Sequence, residues 1–311
     1  MHKVKILYLL GILSVLLSLL ITNCSSSSKN IVAPTFQSER AFEYLAQQVA
    51  FGPRVPGSFA SERCQQYLRD FFLTLGCRVD TMIFKDVDKI SGAEITMTNL
   101  IAHCPGIDST SGETVLLTAH YDSRPIADYD PDSTRRKFPI DGANDGASGV
   151  AVLMELGNLF TQVKPRVNVD LAFLDGEDWG EAGDLNQYFL GAREMVRRNI
   201  RGRYKFALIV DMVGDKDLHV YREEFSEKYY PEINNMIWKA ASELHEKSFI
   251  DSVGYGVQDD HLSFMTIDLP SAVIIDFHYS SWHTSADTPD KCSPKSLAAV
   301  GRVLTHLLYG L

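Results

Sequence analysis

Four short runs of this chain are almost wholly apolar, and each ends on or just before a residue able to hold a cation or move a proton. Val115–Ala119 leads to His120, Val167–Leu174 to Asp175-Gly176-Glu177-Asp178, Phe206–Val210 to Asp211, and Ala272–Phe277 to His283. Continuous apolar runs are the signature of strands buried on both faces. Between and after them lie segments of helical spacing: Gly149–Phe160, Asn186–Arg197, Tyr230–Lys247, and a last helix opened by Ser293-Pro294 as N-cap and first turn and running towards Leu308. Strand alternating with helix implies an α/β domain with a mostly parallel central sheet flanked by helices on both faces. Such sheets carry their chemistry just past the carboxyl ends of the strands, where the acids and histidines stand.

The amino-terminal part fits the same plan. Thr35–Val49 reads as a helix, with Phe42, Leu45, Ala46 and Val49 on one face. Phe51–Ser58 is turn-rich, and Ser58–Leu75 is a second helix striped by Cys64, Leu68, Phe72 and Leu75, with Gly76 as its stop. Ile95–His103 reads as a strand, expected to neighbour Val115–Ala119. No linker divides residues 36–311, so one domain is expected. A hydrophobic fraction of 45% suffices for its core, and a net charge of −10 argues against nucleic acid as a partner.

Residues 1–24 read as a targeting leader: a basic start (His2, Lys3, Lys5), the apolar stretch Ile6–Ile21, then Cys24 followed by serines. The pattern resembles a bacterial lipoprotein signal, with Cys24 as the lipidated residue and 25–35 as a flexible tether. Asn23 departs from the small residue usual before that cysteine. A cleaved secretory signal or an uncleaved anchor are the other readings. Each places the domain outside the cytoplasm; the lipoprotein reading anchors it to a bacterial membrane, facing the periplasm. Cys64, Cys77, Cys104 and Cys292 allow three pairings that sequence does not separate, and Cys64, on an apolar helix face, suits a buried thiol equally.

One acid or histidine at a strand end is more often a helix cap or a solvated group than a ligand. Five such positions on consecutive strand ends and one glycine-rich loop are harder to dismiss. They are His120 with Asp122, Asp145 within Asn144-Asp145-Gly146-Ala147-Ser148-Gly149, the pair Glu177-Asp178, Asp211, and His283. Carboxylates and imidazoles are zinc ligands, and a carboxylate left free beside the metal can act as a base.

In order and type these elements resemble the zinc aminopeptidase and glutaminyl cyclase superfamily, over roughly Ala41–Leu308. The resemblance implies one zinc held by Asp145, Asp178 and His283 in a cyclase. In an aminopeptidase it implies two, with Asp145 bridging and His120 and Asp211 holding the second. Three further features are similar to bacterial cyclases of the animal type: the Phe51–Ser58 loop, Asp259 in Gln258-Asp259-Asp260-His261, and Trp282 directly before His283. A plain turn, a helix cap and core filler are their bland counterparts. Asp178 stands where animal cyclases usually have a second glutamate, and Trp179 is not equated with their pocket tryptophan.

On this resemblance the expected reaction is cyclisation of an N-terminal glutamine of peptides or secreted proteins to pyroglutamate, with release of ammonia. Glu177 would be the proton carrier, Asp259 its support, and Trp282 a wall of the substrate pocket. Hydrolysis of N-terminal residues by a two-zinc aminopeptidase is the alternative, and a non-catalytic binding lipoprotein a third reading.

Overall fold

The strands of the main sheet form where side chains are apolar on both faces, and its edge forms where they are not. The computed structural model describes residues 31–88, 92–107, 113–181 and 183–311. The strands are β1 (Arg78–Val87), β2 (Glu94–Cys104), β3 (Thr114–His120), β4 (Asn168–Leu174), β5 (Ala207–Asp211), β6 (Val220–Arg222), β7 (Phe249–Val253) and β8 (Ser271–Ile275). The helices are α1 (Ser38–Val49), α2 (Phe59–Thr74), α3 (Ala147–Gln162), α4 (Leu190–Arg197), α5 (Glu224–Tyr229), α6 (Pro231–Glu243), α7 (Asp260–Met265) and α8 (Pro294–Gly310). Ala33–Leu311 form one compact unit. The leader read over 1–24, Cys24 with it, and residues 25–30 of the tether lie outside the described residues.

The main sheet runs β1-β2-β4-β3-β5-β8. β4, β3, β5 and β8 are mutually parallel, while β2 is antiparallel to both β1 and β4. The expected pairing of Ile95–His103 with Val115–Ala119 is therefore corrected: β4 lies between them, with Leu100 opposite Phe173 and Leu117 opposite Leu171. The cause is apolar matching. β4 is buried along nearly its whole length and gains a buried neighbour on each side. β1 gives no apolar run in the sequence because Asp80, Lys85 and Asp86 interrupt it, as suits an exposed edge. Asn186–Arg197 shortens to α4, because a 3-10 turn (Leu185–Gln187) and the left-handed backbone of Phe189 precede the helix.

Alternation along the strands sends neighbouring side chains to opposite faces. Ala172, Leu174, Ile209, Val273 and Ile275 share a core cluster with Ala192 and Met195 of α4 and Phe264 of α7. Phe173 points the other way and meets Phe72 of α2, ring centres 5.1 Å apart. α3 lies on that second face so closely that a Cβ on Gly149 would fall 1.9 Å from the carbonyl oxygen of Val210. Only glycine fits there, which draws the start of α3 against the end of β5. The parallel strands β4, β3, β5 and β8 share one carboxyl rim, and there the candidate residues gather.

Candidate functional site: a buried carboxylate and histidine cluster

His120 closes β3 and Asp211 closes β5; His120 Nε2 stands 3.1 Å from Asp211 Oδ1 and 3.1 Å from Asp145 Oδ1. The other oxygen of Asp145 stands 3.6 Å from His283 Nε2, and Asp178 Oδ1 stands 3.3 Å from the same nitrogen. Asp145 thus presents one oxygen to each histidine. Two sets result, His120 with Asp145 and Asp211, and Asp145 with Asp178 and His283; within each, the candidate ligand atoms lie within 4.8 Å of one another. All five residues are buried.

Local sequence explains how each is held. The turn after β4 needs a left-handed residue at Gly176 (φ 69°), where a Cβ would also press on Met97. Asp175, before it, accepts from Thr98 N (2.8 Å) and the Tyr121 hydroxyl (2.6 Å), tying the turn to β2. Asp122 accepts from the backbone N–H groups of Glu177 and Asp178 and lies 3.4 Å from His120 Nδ1, so one carboxylate sets both strand ends. Asp287 does the same for the glycine-rich loop, accepting from Asn144 N and Asp145 N. Asn144 and Ser148 of that loop accept in turn from Gly214 N and Val213 N, just after Asp211. His283 carries a positive φ of 55°, an uncommon backbone for a non-glycine residue, and holds it within this web.

Several supports went unassigned in the sequence. Arg124 is fully buried; it donates to Asp178 Oδ1 (2.8 Å) and, through its fork, to both oxygens of Asp128 (2.8 and 2.7 Å). Asp128 lies 3.5 Å from His283 Nδ1. The one signal in sequence is the Arg124–Asp128 spacing, which usually marks a solvated pair. Arg54, from the Phe51–Ser58 loop, is also fully buried and donates to the carbonyls of Tyr121, Asp141 and Gly142 at 2.9, 2.6 and 2.6 Å. That loop is a strut under the segments carrying His120 and Asp145.

Above the cluster opens a cleft of about 340 Å³, lined by Asp145, Asp178, Asp211 and His283 together with Glu177, Asp259 and Trp282. Its volume is within the range of small-molecule sites. Trp282 stacks on Tyr129 at 5.0 Å and packs against Phe277 at 4.9 Å, making an aromatic wall beside His283. Asp259 caps α7 and lines the cleft at once; its Oδ2 is buried and has no hydrogen-bond partner among the described residues. Trp179 packs instead against the small core of Phe84, Met97 and Leu190.

The electrostatics call for a cation. Burial above all, then Asp178, Asp259 and Asp260, push the Glu177 carboxyl well above its ordinary range against the pull of His120. Burial opposes a charged His283 ring, but Asp178, Asp128 and Asp145 outweigh it and lift it to about 9. Asp145, Asp178 and Asp211 are three buried carboxylates, Arg124 donates to Asp178 alone of the three, and Asp178 Oδ2 has no hydrogen-bond partner among the described residues. A divalent metal neutralises that excess, and carboxylate with imidazole is a donor set zinc accepts. The residues present therefore fit zinc, and either set supplies three ligands.

Comparison with known proteins identifies the family. The model of peptidase family M28 matches residues 99–308. A glutaminyl cyclase of Bacteroides thetaiotaomicron, crystallised with N-acetylhistamine, superposes with a TM-score of 0.84 at 32% identity, over 90% of this chain and 100% of that one. A leucine aminopeptidase precursor of the same organism does so with a TM-score of 0.85 at 32% identity, over 90% and 99%. A Zn-dependent exopeptidase of Parabacteroides distasonis gives 0.84 at 31% identity, over 90% and 100%. This chain belongs to peptidase family M28, within the superfamily that joins zinc exopeptidases and glutaminyl cyclases.

Proposed function

We propose that this M28 enzyme is a glutaminyl-peptide cyclotransferase, which closes the N-terminal glutamine of a peptide or secreted protein into pyroglutamate. The observation that carries the reading is the lining of one cleft. Glu177, Asp259 and Trp282, the residues similar to a cyclase's, line it together with Asp145, Asp178 and His283. Asp145, Asp178 and His283 would hold zinc, which when bound supplies a Lewis acid for the γ-carbonyl. Glu177 takes a proton from the α-amine as its nitrogen bonds to the γ-carbon, and returns it to the amide nitrogen that departs as ammonia. Asp259 supports that transfer. Nucleophile and electrophile belong to one residue, so much of the work is holding a folded-back conformer. The stacked Trp282 and Tyr129 suit that task and shed water from the amide.

The aminopeptidase reading rests on one specific observation, the complete second set of His120, Asp145 and Asp211. Here Glu177 would activate water for attack on the first peptide bond. The purified protein assayed on glutaminyl peptides is expected to release ammonia and leave a blocked N-terminus. Release of free leucine or alanine from their peptides, without cyclisation, would reverse the assignment. N-acetylhistamine, the ligand of the Bacteroides cyclase, is expected to inhibit competitively. In keeping with the leader read in the sequence, we place the enzyme outside the cytoplasm, anchored through Cys24. An unlipidated mature chain would remove that anchor from the proposal.

A further inference from the structure

Two cysteines lie at the opposite end of the sheet from the cleft. Cys104 ends β2 and faces Val169 at the start of β4, whereas the cleft stands at the end of β4. β1 and β2 pair with Arg78 opposite His103, so Cys77 and Cys104 are the next facing positions beyond that pair. Their sulfurs stand 3.7 Å apart. Facing residues of an antiparallel pair have Cα atoms about 4.5–5.5 Å apart, inside the range of about 4.4–6.8 Å that disulfides use. The sulfurs need to approach by only about 1.7 Å to reach bonding distance, which side-chain rotation supplies. Among the described residues, Cys64 and Cys292 are buried thiols with no sulfur neighbour, so geometry selects one of the pairings that the sequence left open.

We propose that Cys77 and Cys104 form an oxidisable pair, converted to an intramolecular disulfide by exchange with a disulfide-bearing oxidant. Cys77 is half-buried and Cys104 buried, so the first attack falls to Cys77. The hydrogen bond from Cys104 favours its thiolate, while that contact and burial hold Cys104 as the thiol. The Cys77 thiolate attacks one sulfur of the oxidant and expels the other as a thiolate. Cys104 then gives up its proton and attacks the Cys77 sulfur of the mixed disulfide, expelling the second thiolate. Two protein thiols lose two electrons in all, and the oxidant leaves as two thiols that take up the two protons. The bond fastens the start of the edge strand β1 to β2, its one strand neighbour among the described residues.

The test uses the purified protein equilibrated with oxidised glutathione, then alkylated and digested. A peptide linking Cys77 to Cys104 is expected, together with a rise in Tm on the order of 5–10 °C over the reduced protein. The rate on substrate should be unchanged, because the pair is remote from the cleft. In Cys77→Ser and in Cys104→Ser the difference in Tm between oxidised and reduced samples should vanish. Linkage through Cys64 or Cys292, or a glutathione adduct that persists on Cys77 with Cys104 still free, would overturn the proposal. A Tm that does not respond to oxidation while the linked peptide forms would overturn the role in fastening β1.

Discussion

Arg124 Nη1 donates to Asp178 Oδ1 at 2.8 Å, and that oxygen stands 3.3 Å from Nε2 of His283. Because Asp128 joins the other side of the guanidinium and lies 3.5 Å from His283 Nδ1, four side chains close a ring. Supports of this kind typically change metal affinity about 10–100-fold when lost. Arg124→Lys keeps the charge but cannot fork between two acids. Zinc affinity, read by competition with a chromogenic chelator, is expected to fall within that range. An affinity equal to wild type would show that the ring does not position Asp178.

Glu177 and Asp178 are adjacent, yet their expected roles differ. Glu177→Gln is expected to lower turnover by about two to four orders of magnitude, the span for losing a general base, with zinc retained. Asp178→Asn should lose zinc instead, since a neutral amide replaces a carboxylate ligand poorly. Metal content beside kcat for both variants decides this, and the reverse pattern would exchange the two assignments.

Glu223, which belongs to neither set of candidate metal ligands, supplies a test of stability against pH. Burial resists its charge. Even so, the His261 ring 3.2 Å away and the N–H groups of Phe225 and Ser226 hold its carboxyl at about 2, against an ordinary 4.5. A depressed folded value means the stabilisation is complete above the unfolded value and is lost as pH falls towards the folded one. The size is about 3 kcal/mol. Urea unfolding of wild type and Glu223→Gln should therefore differ most above pH ~5 and converge as pH drops towards ~2. A gap independent of pH would mean that the charge contributes nothing.

Among the described residues Arg54 has no acidic ion-pair partner; it satisfies three carbonyl oxygens, those of Tyr121 and Gly142 buried and that of Asp141 partly so. Arg54→Met leaves the carbonyls of Tyr121 and Asp141 unpaired, while that of Gly142 keeps the N–H of Ala147 at 3.3 Å, and a loss of about 2 kcal/mol or more is expected at roughly 1–3 kcal/mol per group. Thermal unfolding measures it. Activity should fall further than stability explains, because the freed carbonyls belong to the segments that set His120 and Asp145.

The parallel strands and the residues at their ends could be read from sequence because burial on both faces leaves an unbroken apolar run. The edge strand β1 could not, since a half-exposed strand carrying Lys85 and Asp86 looks like a loop. Arg124, Asp128, Arg54 and Asp287 escaped for a related reason. A buried charged residue satisfied by fixed partners has the same letter as a solvated one, and its partners lie far off in sequence, Asp178 being 54 residues from Arg124. Tyr129 escaped too, because stacking on Trp282 brings together loops that are separate in the chain.

Gly149 has a consequence for anyone who would re-engineer this enzyme. With no room for even a methyl group between α3 and the end of β5, the span from Asp145 to Asp211 behaves as a fixed gauge of the chassis. A Gly149→Ala change would jack the helix off the strand and spread His120, Asp145 and Asp211 apart together. Selectivity between amide closure and peptide hydrolysis is therefore better sought in parts that can be exchanged without touching that gauge: the wall of Tyr129 and Trp282, and the segment leading to Asp259.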